Sequence, residues 1–243
     1  MRNDMTHIVA LSGGKDSTAL ALRLADVDPR DYLYFCTPTG DELPDMEAHW
    51  EKLERLLNAP IIRLKYPGGF KALCKNQKCL PNFRMRFCTR ILKIEVAERF
   101  YREHQPCLIY VGLRADEEGR DGSYSEEFQH RYPLREWGWG ISEVLIYLKS
   151  KGIEIPRRTD CARCFWQRID EWWSLWKDYP HIFRDAANQE KEIGHTFRTP
   201  GKDSWPISLE DLGNKFDSGA MPRKAGNHKL WDFSENKCRI CSL

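Results

Sequence analysis

The stretch His7-Ile8-Val9-Ala10-Leu11-Ser12-Gly13-Gly14-Lys15-Asp16-Ser17 decides the fold. Its first five residues form a short apolar run that reads as a buried strand. Two glycines follow, and Asp16 to Ala25 then reads as a helix with Leu20, Leu22 and Leu24 among its apolar positions. A strand turning through glycines into a helix is the opening unit of a parallel α/β sheet. Glycine lets backbone N–H groups approach an anion with no Cβ in the way. The helix start adds N–H donors and the positive end of its dipole. Lys15 supplies a point charge, and Ser12 and Ser17 supply hydroxyls. Asp16 stands where it either caps the helix or holds a phosphate-bridging Mg²⁺. The plainer alternative, a glycine turn with an Asp/Ser cap, does not account for the whole pattern of strand, loop and helix.

The same alternation continues downstream. Tyr32 to Cys36 reads as a second strand, followed by the turn-rich Pro38-Thr39-Gly40-Asp41. Asp45 to Leu57 reads as a helix, and Pro60 to Leu64 as a third strand. Residues 66–88 look loop-like. Thr89 to His104 returns to helix, and Cys107 to Gly112 is a fourth strand. This predicts a Rossmann-like α/β fold, a parallel sheet with helices on both faces. Right-handed crossovers gather Ser12–Ser17, Thr39–Glu42 and Gly112–Arg114 along the C-terminal edge of that sheet. Beyond Arg114 the pattern changes. Residues 115–136 read as polar loop, Ile141 to Lys151 as a helix, and Gln167 to Trp176 as a Trp-rich helix. The rest reads as loop and short helix. The expected division is a nucleotide-binding domain over 1–156 and an appendage over 157–243 that closes on the sheet edge.

Composition bounds the function. The 243 residues have an ordinary apolar share of 41%, so global disorder is not expected. No apolar stretch is long enough to span a bilayer, and the polar start with the short run Ile8–Leu11 lacks a signal-peptide core. The expectation is a cytoplasmic chain with reduced cysteines and no membrane partner. Nine cysteines in that compartment point to metal binding or thiol chemistry. Arg63, Lys65, Lys71, Lys75, Lys78, Arg84, Arg86, Arg90 and Lys93 follow one another with no Asp or Glu between them. Such a run is either a solvated surface or an anion site for phosphate, sulfate or a nucleic-acid backbone.

Cys161-Ala162-Arg163-Cys164 and Cys238-Arg239-Ile240-Cys241 are two Cys-x-x-Cys pairs. Each lets two thiolates reach one metal from a tight turn, and both Zn²⁺ and a [4Fe–4S] cluster fit that donor set. Trp172 and Trp176, as i,i+4 neighbours, read as core of the appendage rather than as base-stacking groups. His181 and His195 read as local hydrogen-bonders.

The Ser12–Ser17 loop lacks the Walker spacing and resembles the PP-loop of the N-type ATP pyrophosphatases. Further resemblance is to the phosphoadenylyl-sulfate (PAPS) reductase family. Thr39-Gly40-Asp41-Glu42-Leu43-Pro44 is similar to its Thr-Gly-x-Glu-x-Pro segment, and Cys88-Thr89-Arg90-Ile91-Leu92-Lys93 to its Cys-Thr-x-x-Leu-Lys segment. Val111-Gly112-Leu113-Arg114 resembles Thr-Gly-Leu-Arg, and Pro133-Leu134-Arg135-Glu136-Trp137 resembles Pro-Leu-x-x-Trp. These motifs cover roughly residues 7–165. The resemblance implies an adenine nucleotide alpha hydrolase-like fold. It implies that Ser12, Gly13, Gly14, Lys15, Asp16 and Ser17 hold nucleotide phosphates, with Thr39, Gly40, Glu42, Lys93 and Gly112 bordering the nucleotide. Lys15, Asp16, Arg90, Arg114 and Cys88 become the candidate catalytic groups.

The adenylyl-sulfate reductase branch holds a [4Fe–4S] cluster on an Arg-x-Cys-Cys segment and a later Cys-x-x-Cys. Here Cys88 and the pair Cys161 and Cys164 fall on those segments, but Phe87 stands beside Cys88. A fourth ligand would come from Cys74, Cys79, Cys238 or Cys241. Reductases of the family generally have a degraded loop and a C-terminal Glu-Cys-Gly-x-His. This chain has a complete loop and a tail reading Lys237-Cys238-Arg239-Ile240-Cys241-Ser242-Leu243. Both departures favour an ATP–Mg²⁺-using relative, and the flavour of Phe83 to Lys93 is that of the PP-loop protein of DNA phosphorothioation. The expected activity is adenylation with pyrophosphate release in sulfur transfer to a nucleotide or nucleic-acid acceptor, with a sulfur-donor protein as partner. The alternatives are a sulfonucleotide reductase using a cysteine thiol, and a non-catalytic nucleotide-binding module with structural zinc.

Overall fold

The computed structural model describes residues 5–117, 126–201 and 203–223. Five parallel strands, β1 (Thr6–Ala10), β2 (Tyr32–Cys36), β3 (Ile61–Arg63), β4 (Cys107–Tyr110) and β5 (Gln129–Arg131), lie in the order β3-β2-β1-β4-β5. The chain runs outward from β1 to β3, then crosses to β4 on the other side of β1. That reversal opens a crevice beyond the C-terminal ends of β1 and β4, where sheets of this class bind ligands. β5 falls in the stretch expected to be loop. Its sequence Gln129-His130-Arg131 carries no apolar residue, because an edge strand with one neighbour buries little.

Among the described residues ten α-helices accompany the sheet: α1 (Lys15–Val27), α2 (Pro44–Leu57), α3 (Gly69–Gln77), α4 (Phe87–Thr89), α5 (Glu95–Glu103), α6 (Pro133–Glu136), α7 (Ile141–Ser150), α8 (Ile169–Asp178), α9 (Pro180–Ile193) and α10 (Leu209–Asp217). Side chains alternate across the sheet. Val9, Tyr34 and Tyr110 join a core with Leu20 and Leu24 of α1, Trp50 and Leu53 of α2, and Val144 and Leu148 of α7. Ile8, Phe35 and Ile109 join the opposite core, closed by Phe100 and Tyr101 of α5. Among the described residues no helix is long and apolar enough to cross a membrane.

A third core departs from expectation. Phe70, Leu73 and Cys74 of α3, with Leu80 and Leu92, pack against Trp172, Leu175, Phe183, Phe197, Leu212 and Phe216. The segment 66–88 is therefore not all loop. Its apolar residues recur at i, i+3 and i+4, and Gly68 and Gly69 ahead of them form the left-handed turn at the helix start rather than marking a loop. The region after α8 is likewise more helical than expected. α9 opens on Pro180 and is stopped after Ile193 by the left-handed Gly194. α10 is capped by Ser208, whose hydroxyl accepts the N–H of Asp211. Burying α8, α9 and α10 against α3 is what sets the Cys161–Cys164 turn beside the sheet edge. The helix expected over 89–104 is also interrupted, because a π-helical turn spans Arg90–Ile94 between α4 and α5.

Candidate functional site

The loop after β1 gathers backbone N–H groups, the Ser12 and Ser17 hydroxyls and Lys15 at the start of α1. Gly13 has φ of +90°, and a Cβ there would meet Trp50 Nε1 at 2.7 Å and Met46 Cε at 2.8 Å. Trp50 Nε1 donates to the Ser12 carbonyl at 3.1 Å, so α2 holds the turn from behind. Ser12 Oγ and Ser17 Oγ lie 3.0 Å apart, and the Gly13 N–H donates to Ser17 Oγ at 3.2 Å. Gly14 is the N-cap of α1 and supplies no side-chain cap, so the positive end of the helix opens on the loop. Lys15 is buried and its Nζ sits 3.0 Å from Asp16 Oδ2.

The β4 loop closes on the same helix start. A Cβ on Gly112 would stand 3.0 Å from the Asp16 carbonyl carbon and from Ser17 N, so only glycine fits there without displacement. This brings Arg114 to Asp16, with Nη1 2.9 Å from Oδ2. Arg114 Nε also reaches Asp116 at 2.8 Å, and Nη2 lies 3.7 Å from Glu117. Asp16 thus bridges Lys15 and Arg114 through Oδ2. Its other oxygen, Oδ1, is buried with no hydrogen-bond partner.

The third wall is the segment after β2. Both Glu42 carboxylate oxygens accept backbone N–H groups, Oε1 from Thr39 at 2.7 Å and Oε2 from Gly40 at 3.0 Å. Thr39 Oγ1 also donates to Glu42 and shares a 3.3 Å hydrogen bond with Cys161 Sγ. The Ala162 N–H donates to the Asp41 carbonyl at 2.6 Å. Arg163 is buried and donates from Nε and from its backbone N to the two Asp41 carboxylate oxygens, at 2.6 and 3.1 Å. Its Nη1 reaches Asp185 at 2.9 Å and Gln189 at 3.0 Å. The Cys-x-x-Cys turn is therefore bolted to the Thr39–Glu42 loop on one side and to α9 on the other. Thr159, two residues ahead of Cys161, lies 3.8 Å from where a Gly14 Cβ would be. The phosphate loop and the thiol turn are neighbours.

Thr39, Arg86, Cys88, Thr89, Lys93, Cys161, Cys164, Phe165 and Trp166 line one pocket. Thr89 precedes the π-helical turn and Lys93 lies within it, so the irregular turn brings a hydroxyl and a cation to the same wall. Burial pushes the Cys161 thiol well above its ordinary range, opposed by the nearby Lys93 ammonium. Burial likewise raises Cys164 to about 11, opposed by Arg158. Cys88 is raised for the same reason, with Lys93 acting against it. In all three, burial disfavours the thiolate and the neighbouring cations favour it. Arg158 holds the turn by donating to the Cys161 carbonyl at 3.0 Å and pairing with Glu171.

These placements sort the expected residues. Ser12 to Ser17, Gly112 and Arg114 meet at the switch point. Thr39, Gly40 and Glu42 join them to Cys161, and Cys88, Lys93 and Cys164 share the pocket. Arg90 does not join them; its guanidinium is exposed and lies 3.4 Å from exposed Glu95. Cys74 is fully buried in the α3 core, where desolvation raises it to about 12, and neither it nor Cys79 lines the pocket. Cys238 and Cys241 lie outside the described residues. No group of three His, Cys, Asp or Glu among the described residues closes on a single metal ion. Sequence reading missed Thr159, Arg158, Arg163 and Trp166. The arginines flank the cysteines in the chain, a signal that was legible.

A model of the phosphoadenosine phosphosulfate reductase domain matches residues 6–157, more than half of the chain. The chain belongs to the PAPS reductase domain family. Its fold is also that of a crystal structure of phosphoadenylyl-sulfate (PAPS) reductase from Candida auris in a phosphate complex. The TM-score is 0.51 at 16% identity, over 63% of this chain and 75% of that one. Among curated proteins no sequence match was found. In this PAPS reductase family chain the matched residues end just before the Arg158–Cys164 turn, so the thiol wall is partly built by the segment beyond the domain.

Proposed function

We propose that this chain binds ATP on Ser12–Ser17 and adenylates an acceptor with release of pyrophosphate, as the activating half of a sulfur transfer. The observation that carries the reading is the complete anion cradle set against a thiol wall. The α1 N-terminus is uncapped, Lys15 is buried at the loop, and Thr159 and Cys161 adjoin Gly14 and Thr39. In the reaction an acceptor oxygen attacks the α-phosphorus. The bond from the α-phosphorus to the bridging oxygen breaks, and pyrophosphate leaves with the electron pair. Lys15 and Arg114 face the charge that develops on the phosphates, and preorganised cations of this kind are the main source of such catalysis. A sulfide-level nucleophile from a separate donor then displaces AMP.

Asp16 Oδ1, buried and unpartnered, suits a Mg²⁺ ion, which would neutralise phosphate charge. Cys88, Cys161 and Cys164 are three thiol donors on one wall, the donor type that would serve either zinc or an iron–sulfur cluster. A cluster held there would supply electrons or a sulfide site.

A second reading, sulfonucleotide reduction by a thiol, is favoured by the family itself and by the pocket's pairing of Arg86 and Lys93 with cysteines. One assay separates the two. Incubated with ATP and Mg²⁺, the holoprotein should release pyrophosphate when acceptor is present, and Lys15→Ala should lower the rate about 10²- to 10³-fold. Sulfite released from PAPS with a thiol donor, without pyrophosphate release from ATP, would establish the reductase instead.

A further inference from the structure

We infer that the turn Asn82–Arg86 is a docking tip for single-stranded nucleic acid, which would make the acceptor of the proposed reaction a polynucleotide. The inference rests on that reading for its chemistry but not for binding. Phe83, Arg84 and Met85 are all exposed, and Phe83 and Met85 are among the few large apolar side chains left in solvent. The turn is not loose. Asn82 Oδ1 accepts the N–H groups of Arg84 and Met85 at 2.9 and 3.0 Å, and the Asn82 N–H donates to the Met85 carbonyl at 3.2 Å. An ordered turn therefore presents an aromatic face outward. The Arg84 guanidinium lies over that ring, 5.3 Å from its centroid. A ring with a stacked guanidinium is a platform on which unpaired bases stack.

Charge points the same way. No Asp or Glu occurs between Glu54 and Glu95. Arg63 and Lys71 are engaged by Glu47, Glu54 and Asp185. Lys75, Lys78 and Arg84 are exposed and make no ion pair among the described residues. Arg90 reaches only an exposed carboxylate, a contact worth about 0–1 kcal/mol. The exposed ring thus carries a guanidinium over it and lies in a stretch of chain with several cations and no acid, which is complementary to a phosphate backbone with unstacked bases. An acidic protein partner would have to engage much more than these three exposed residues, since a stable protein interface takes ~800 Å² per side. Arg86, the last residue of the tip, and Cys88, two residues further on, line the thiol pocket, so a strand gripped at Phe83 is led toward the reacting groups.

The test is fluorescence anisotropy of the full chain with a labelled oligothymidylate of ~16 nucleotides, the upper end of a single-strand site. The wild type should bind with an affinity that falls steeply with salt. Phe83→Ala should weaken binding about 5- to 150-fold, the equivalent of ~1–3 kcal/mol for one stacked base. Phe83→Tyr should restore it, because the ring face returns. Arg84→Ala should weaken binding and lower the salt slope by about one. Both positions are exposed, so melting temperature should stay unchanged. The inference is overturned if the wild type does not bind, if Phe83→Ala binds as well, or if the matching duplex binds at least as tightly. It is also overturned if polyglutamate competes with the same dependence on Phe83. ATP affinity, measured in parallel with Lys15→Ala, keeps the two readings apart. Oligonucleotide binding that survives a failure of ATP to bind leaves the tip standing and removes the adenylation. ATP binding with no oligonucleotide binding does the reverse.

Discussion

Arg163→Met should loosen the thiol turn at a cost that depends on pH. The Arg163 side chain is 9% exposed and that of Asp41 is 4% exposed, so the pair is fully enclosed. The substitution removes the 2.6 Å bond from Nε to Asp41 and the Nη1 bonds to Asp185 and Gln189, and leaves a carboxylate buried without its cation. Breaking a buried pair on one side costs about 3–5 kcal/mol. The Asp185 bond adds little, because that side chain is 39% exposed. Burial lifts Asp41 to about 6 even with Arg163 beside it. Below that value the carboxyl is neutral and misses the guanidinium less. The penalty of Arg163→Met should therefore be largest above about pH 7 and shrink toward pH 5.

Urea unfolding followed by tryptophan fluorescence measures this, and thiol titration follows the Cys161–Cys164 turn. Asp41→Asn should cost less, about 1–3 kcal/mol, since an amide still accepts one N–H. Combining the two should recover part of the loss, with a coupling of about 1–3 kcal/mol. A cost for Arg163→Met below about 1 kcal/mol, or additivity of the two changes within about 0.5 kcal/mol, would refute the argument that this pair fastens the turn. Cysteine modification no faster in the variant than in the wild type would refute its functional half.

Gly112→Ala should lower stability by about 1–3 kcal/mol and weaken nucleotide binding, because the new methyl meets backbone atoms of Asp16 and Ser17 at 3.0 Å; calorimetry with ATP reads both. Glu190 accepts the N–H groups of Phe197 and Leu209, and burial raises it to about 7. With a folded value above the unfolded ~4.3, its contribution is complete at low pH and lost as pH rises through about 7. Glu190→Gln should flatten the fall in urea midpoint between about pH 5 and 7; an unchanged slope would show that another group titrates there.

The nucleotide side of the site was legible because its determinants are local. Strand, glycine loop and helix are consecutive in sequence, and the apolar strands imposed the sheet order that joins Gly112 to Asp16. The thiol side was legible only in its donors. Cys161 and Cys164 announce themselves by spacing, but their partners Asp41, Thr39 and Gln189 are distant in sequence and carry no pattern of their own. The helices α3 and α9 were obscured for a different reason. α3 is only nine residues long and starts at a glycine pair, and α9 has five charged residues among fourteen, with Phe183 and Ala186 buried in the core that it shares with α3.

That mutual burial has a consequence for how the site works. The PAPS reductase domain match ends at residue 157, yet Phe70, Leu73 and Leu92 within it are covered by Trp172, Phe183, Phe197 and Phe216 beyond it. The matched region would expose that apolar surface without the later helices, at about 25 cal/mol for each Å² returned to water. The same helices carry Asp185 and Gln189, which hold Arg163 and through it the Asp41 loop. The thiol wall and the Thr39–Glu42 loop therefore share one source of rigidity. A change that loosens α9 should weaken both the spacing of the cysteines and the grip of Thr39 and Glu42, although no atom of α9 lines the pocket. The segment beyond the matched domain thus acts as the element that fixes the distance between the Thr39–Glu42 loop and the Cys161–Cys164 turn.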